Sequence, residues 1–203
     1  MCGITGYLNR SAEPSSNVII RRMTDSIAHR GPDGEGHFVE ENIALGHRRL
    51  AIIDLSPAGH QPMMTQNSRY IITYNGEVYN YLELRAELEA KGHRFHSKTD
   101  TEVVLCAFEV WKEKCLERLN GMFAFAIWDR AEKQLFLARD RYGIKPLYFA
   151  QTKEAFIFGS EIKTILAHGG IEPELNKPGL FEYMTFQNYF TPQTLYKNIE
   201  LVP

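Results

Sequence analysis

Met122-Phe123-Ala124-Phe125-Ala126-Ile127-Trp128-Asp129, followed across Arg130-Ala131-Glu132-Lys133 by Gln134 to Asp140, is the stretch that decides the fold. Two apolar runs of strand length joined by a short polar break read as a hairpin. Successive strand side chains point to opposite faces. One face of the first run is therefore Met122, Ala124, Ala126 and Trp128, and the other is Phe123, Phe125 and Ile127. Both are apolar, so the strand is buried on both sides. An antiparallel strand covered twice needs sheet on one face and helix on the other.

The flanking sequence supplies those layers. Cys2 to Leu8, Ile43 to Asp54 and Tyr70 to Tyr74 read as strands, and Leu147 to Ala150 with Ala155 to Phe158 as a second hairpin. Asn17 to Ala28 carries Val18, Ile19, Met23 and Ile27 at mostly helical spacing. Val78 to Lys91 reads as a helix stopped by Gly92, and Thr99 to Leu119 as a helix opened by Thr99 and Glu102 at capping-box spacing. Glu161 to Ala167 and Pro178 to Thr185 read as short helices, and the glycine- and proline-punctuated residues 29–36 as a loop. Gln187 to Pro203 is weakly patterned and reads as a linker. The expectation is an α+β chain of two packed antiparallel sheets with helices outside.

Composition narrows the function classes. The 203 residues are 44% hydrophobic and 24% charged, a globular balance rather than a disordered one. A net charge of −2 argues against a nucleic-acid-binding domain, and no apolar run approaches a membrane span. There is no signal-peptide core, and the three cysteines (Cys2, Cys106 and Cys115) have no disulfide or zinc pattern, which together predict a cytoplasmic setting. Cys106 and Cys115 read as packing residues. The histidines lack ligand spacing and the Gly31–Gly36 region lacks a phosphate-loop pattern, so neither a metal nor a nucleotide is expected.

Candidate chemistry begins at Cys2. If Met1 is removed, one residue carries both a thiol and a free α-amine, with ordinary pKa values of roughly 8.5 and 7.7–8.0. The amine can then take the thiol proton, a nucleophile and base in one residue. With Met1 attached, the nitrogen of Cys2 is an amide and cannot. Arg49, read as sharing a strand face with Ala51 and Ile53, needs a partner: a substrate carboxylate or a cross-strand acid. Asn75-Gly76 reads either as a hairpin turn or as an oxyanion hole of one side-chain amide and one backbone N–H. Glu77 and Asp100, at the starts of predicted helices, read either as caps or as acids for an ammonium group.

Taken in order, Cys2-Gly3-Ile4, His29-Arg30-Gly31-Pro32-Asp33, Gly46 to Ile52, Gly59-His60-Gln61-Pro62, Tyr74 to Asn80, Thr99 to Glu102, Asn120 to Ala126, and Ala138 to Leu147 carry a resemblance. The chain resembles the class II glutamine amidotransferase, or N-terminal-nucleophile, domain of glutamine-hydrolysing asparagine synthetases. Leu50-Ala51-Ile52 after Arg49 favours that branch over its sisters. The resemblance implies a four-layer αββα fold over residues 2–168, with 169–203 a C-terminal helix and linker toward an absent synthetase domain. It implies Cys2 as nucleophile, Asn75 and Gly76 as the oxyanion hole, and Arg49 as the clamp on the α-carboxylate of L-glutamine. Glu77 and Asp100 would face the α-ammonium, and the backbone around Leu50 and Ile52 would line the pocket. No cofactor is implied for this domain; ATP and magnesium belong to the synthetase domain, whose Ser-Gly-Gly-x-Asp-Ser loop does not occur here. The expected partners are L-glutamine and that domain, with a homodimer left open and neither nucleic acid nor membrane involved. Two other readings remain: a different cysteine amidase of the same fold, whose substrates lack the α-ammonium, and a non-catalytic packing module with Cys2 masked by Met1.

Overall fold

In the computed structural model, which describes residues 1–11 and 13–203, the hairpin at 121–139 forms the middle of a sheet. Strand Gly121–Asp129 (β6) pairs with Tyr70–Val78 (β5) on one side and Gln134–Arg139 (β7) on the other. Met63–Met64 (β4) completes the antiparallel order β4-β5-β6-β7. The second sheet has six strands: Gly3–Asn9 (β1), Gly34–Glu40 (β2), Ile43–Arg49 (β3), Tyr148–Gln151 (β8), Ala155–Gly159 (β9) and Ile199–Leu201 (β10). They run antiparallel in the order β10-β8-β9-β1-β3-β2.

The two faces of β6 pack as its alternation requires. Ala124, Ala126 and Trp128 meet Ile4, Ile43, Leu45 and Phe158 of the other sheet. Phe123, Phe125 and Ile127 meet helices Tyr81–Ala90 (α2) and Asp100–Trp111 (α3) through Leu84, Leu88, Val103, Val104 and Phe108. A third core lies outside the six-stranded sheet, where Ile20 and Met23 of Asn17–Asp25 (α1) and Ile165 of Ile162–Ala167 (α4) cover Tyr7, Ala44 and Ile157. The order is thus helix, sheet, sheet, helix. A fifth helix, Lys177–Phe186 (α5), leaves Phe181, Met184 and Phe186 exposed.

Five local expectations are corrected. β2 occupies residues read as loop: Gly34 and Gly36 look like breakers, but a Cβ on Gly36 would lie 2.0 Å from the Gln61 carbonyl oxygen. Close backbone approach, not turning, is what that glycine serves. β3 ends at Arg49 rather than Asp54, and β5 runs through Asn75 and Gly76 to Val78, so Glu77 lies in a strand and not at a helix start. The long helix from Thr99 stops at Trp111, where Lys112 takes φ 53°, and continues to Glu117 as a tighter turn. Within the stretch read as linker, Ile199–Leu201 pair with β8 and bury Ile199.

Candidate active site

Cys2 immediately precedes β1 and shares the parity of Ile4, so its side chain faces the gap between the sheets. Its Sγ accepts from the Leu50 N–H at 3.3 Å and lies 3.5 Å from the Leu50 carbonyl. Burial pushes the Cys2 thiol above its ordinary value, opposed by the Leu50 hydrogen bond and the Arg49 charge. Arg30 donates to the Cys2 carbonyl at 3.0 Å and pairs with Glu161 at 2.9 Å, which fixes the chain at this point.

Across from Cys2, β5 carries Asn75 on its sheet-facing side, with the parity of Ile71. Asn75 is buried, and its Nδ2 is a buried donor without a hydrogen-bond partner among the described residues. Such orphans are rare, because each costs roughly 1–3 kcal/mol. Together Cys2, Arg49, Leu50, Ile52, Asn75, Gly76, Glu77 and Asp100 line one cavity of about 180 Å³, with Gly59, Gln61, Tyr74, Met122 and Lys145 among its other walls. All eight residues singled out from the sequence are therefore at one place. The turn reading of Asn75-Gly76 is excluded by its mid-strand position.

The charged groups divide the cavity. Arg49 donates to the carbonyl of Ser56 at 3.0 Å and to that of Asp54. It has no carboxylate partner among the described residues, so the cross-strand ion pair is absent. The chain leaves the β3 ladder after Arg49, and these carbonyls curl back onto its guanidinium. Asp100 opens α3 behind its cap Thr99, whose hydroxyl accepts from the Glu102 N–H at 3.2 Å. The Asp100 carboxylate accepts from the Tyr74 hydroxyl at 2.6 Å and the Val78 N–H at 3.0 Å. Burial pushes its pKa up despite those donors, and burial with the nearby Asp100 charge raises Tyr74 as well. Glu77 and Ile52 are exposed at the rim.

Two wall residues, Lys145 and Gln61, and His47 behind the wall were not singled out from the sequence. Lys145 is 5% exposed, and its Nζ lies 3.2 Å from the Met1 sulfur. Gln61 Oε1 accepts from the Tyr74 N–H at 2.6 Å. His47 donates from Nε2 to the Tyr74 carbonyl at 3.1 Å; burial lowers its pKa to about 3, which keeps it neutral. Gln61 and Lys145 stand in motifs visible in the sequence, Gly59-His60-Gln61-Pro62 and Lys145-Pro146-Leu147, but nothing local shows where they point. The cysteines read as packing residues are buried, and their thiols are pushed up to about 12. Cys106 does lie near His93 and Glu109, with one potential ligand atom from each within 4.8 Å of the others; no metal was expected from the sequence at this place. A larger cavity of about 780 Å³ lies there, between residues 63–67 and 92–97, and holds none of the eight candidate site residues.

A cysteine at the head of β1, set between two antiparallel sheets with helices on both outer faces, is the arrangement of the N-terminal-nucleophile amidotransferase fold. Solved structures agree on that fold. One is a Bacillus subtilis glutamine phosphoribosylpyrophosphate amidotransferase complexed with ADP and GMP, with TM-score 0.71, 23% identity, and coverage of 86% of this chain and 45% of that one. Another is an allosteric regulatory enzyme of purine biosynthesis, with TM-score 0.70, 23% identity, and coverage of 83% and 43%. The family model described as "Glutamine amidotransferase domain" matches residues 1–203, and the chain belongs to that family. Among curated relatives, asparagine synthetase [glutamine-hydrolyzing] 3 of Bacillus subtilis is 43% identical over 98% of this chain and 33% of its own length. Asparagine synthetase [glutamine-hydrolyzing] 1 of the same organism is 41% identical over 100% of this chain and 32% of its own. The chain thus spans about a third of the length of these relatives. Among the described residues no helix is long and apolar enough to cross a membrane.

Proposed function

We propose that this domain, once Met1 is removed, hydrolyses the side-chain amide of L-glutamine and releases ammonia for a synthetase domain of the kind its longer relatives' names imply. The observation that carries the reading is the buried, unpartnered Asn75 amide in the wall of the Cys2 cavity. A carbonyl oxygen that gains negative charge gives that donor the partner it lacks.

In this reading the Cys2 α-amine takes the thiol proton and Sγ attacks the amide carbon. The carbonyl π bond opens onto oxygen, which Asn75 Nδ2 and the Gly76 N–H receive. Collapse of the intermediate expels ammonia with the proton held by the α-amine and leaves a γ-glutamyl thioester. Water then cleaves the thioester to glutamate and restores the thiol. Arg49, with no carboxylate partner among the described residues, takes the α-carboxylate in a fork. Asp100 and the rim acid Glu77 face the α-ammonium, and the backbone at Leu50 and Ile52 closes the pocket. The domain needs neither metal nor nucleotide for these steps; ATP and magnesium act on the synthetase side.

Intact mass before and after a glutamine-mimicking diazoketone tests this, together with glutamate release from glutamine. One adduct on a chain lacking Met1, and no glutamate from Cys2→Ala, is the expected result. Glutamate release that persists in Cys2→Ala rejects Cys2 as the nucleophile. A processed chain that takes no adduct and releases no glutamate rejects glutaminase activity for the domain in isolation.

A further inference from the structure

β4 pairs with β5 only at Met63↔Ile72 and Met64↔Ile71. Continued in register, Gln61 would oppose Tyr74 and Gly59 would oppose Gly76. The backbone does not continue so. It swings toward β2, where the Gln61 carbonyl passes over Gly36. A strand that loses its neighbour normally leaves N–H and C=O groups unpaired, and buried ones are costly. Tyr74 is the residue at which this happens, it is buried, and both of its backbone groups on that side are met by side chains. Gln61 Oε1 takes the N–H at 2.6 Å, and His47 Nε2–H serves the C=O at 3.1 Å. Gln61 is itself buried and is anchored by Nε2 donating to Thr101 Oγ1 at 3.2 Å.

We propose that Gln61 and His47 are positioning residues that replace the missing strand at Tyr74, so that the ladder ends one step before the oxyanion hole. The two-residue period of an antiparallel strand points the Gly76 N–H the same way as that of Tyr74. With Tyr74 satisfied by side chains, the slot between residues 59–61 and β5 stays open, and Gly76 keeps its N–H for the substrate oxygen. The Gly59-His60-Gln61-Pro62 motif thereby acquires a role: it steers the backbone away and sends one side chain back. This inference rests on the oxyanion role of Asn75 and Gly76 proposed above, and its test is chosen to fail separately from it.

The test compares Gln61→Met and Gln61→Glu with the parent in amide hydrogen exchange by nuclear magnetic resonance and in glutamine hydrolysis. Met removes the acceptor at similar length; Glu retains an acceptor oxygen. In Gln61→Met, exchange at the Tyr74 amide should rise about tenfold or more, while Ile72 and Phe125 keep their protection. The kcat should fall about tenfold or more with KM changed less than about threefold, because the donor is displaced and the substrate clamp is not. Gln61→Glu should restore most of both. A Tyr74 amide as protected in Gln61→Met as in the parent overturns the proposal, as does a raised exchange with kcat unchanged. If Gln61→Met does not fold, Thr101→Val removes only the anchor of Gln61 and should move both readouts the same way by less. Should the parent release no glutamate, the proposed function fails, while the exchange measurement still decides whether Gln61 stands in for a strand.

Discussion

The two halves of β5 have the same neighbour on one side and opposite fates on the other. From Tyr70 to Thr73 the strand lies between β4 and β6, and Ile71 and Ile72 are fully buried, one against the other sheet and one against α3. From Tyr74 to Val78 only β6 remains, and the open flank is met by the side chains of Gln61, His47 and Asp100. The first half spends its backbone groups on a ladder. The second leaves the Gly76 N–H without a ladder partner, beside an Asn75 side-chain amide that has no hydrogen-bond partner among the described residues. A sheet becomes a site where its ladder is interrupted without being left unsatisfied.

The largest stability effect should come from the paired half. Ile72→Ala should cost about 2–5 kcal/mol in denaturant unfolding, since a side chain is removed from a closed core. Glutamine hydrolysis by the remaining folded protein should be nearly unchanged, and a large loss of kcat would blur the division between the halves.

Asn75→Ala should do the reverse. Its kcat should fall about 100- to 1,000-fold, or roughly 2.7–4 kcal/mol of barrier, with stability unchanged or slightly higher because a buried orphan donor is gone. Steady-state kinetics with a melting curve on the same sample separates the two effects.

The acids flanking this region offer a pH test. Asp140 is buried, which alone would raise its pKa, but N–H donors from Phe123, Tyr142, Ile144 and Lys145 outweigh burial and hold it below the usual value. A depressed folded pKa contributes stability above the unfolded value of about 3.9, and that stability is lost as pH falls through the folded value. Asp140→Asn should therefore cost about 1.5–3 kcal/mol near neutrality, and less as the solution is acidified below that range. Asp100 shifts the other way, so its contribution has the opposite sign: its folded form takes a proton more readily, which favours folding at low pH and fades as pH rises through its raised value. A cost for Asp140→Asn that stays constant from neutral to acid would contradict the first assignment.

The smallest effect should be Thr73→Val, at the end of the paired half. It loses one buried hydrogen bond, from Thr73 Oγ1 to the Gly46 carbonyl at 3.1 Å, for about 1 kcal/mol. A drop in kcat as large as that of Asn75→Ala would mean that the two halves are not separable.

Much of this was legible in the chain. The opposed apolar faces of 122–128 dictated a strand covered by sheet and by helix, and both covers are present. Every site residue singled out lines one cavity. What failed to show were features set by a distant neighbour. Gly34 and Gly36 read as breakers because a glycine in a turn and a glycine under a crossing carbonyl look alike in sequence. Asn75-Gly76 followed by Glu77 carries turn and helix-start signals, yet pairing with Ala124, Phe123 and Met122 holds all of these residues in a strand. Ile199–Leu201 has little pattern of its own, and an open edge at β8 recruits it.

The sequence by itself determined the layering, because side-chain alternation and helical spacing are local properties and burial acts on them directly. It also determined which functional groups were available: one thiol at Cys2, one amide at Asn75 next to a glycine, and an arginine, Arg49, followed by the apolar Leu50 to Ile53. Tertiary structure alone decided that β4 would part from β5 after two residue pairs. That departure frees the flank of the strand that carries the Gly76 N–H, brings Gln61 and His47 to Tyr74, and opens the cavity in front of Cys2. It depends on the path of the backbone over β2, which belongs to the packing of two sheets and to no single segment.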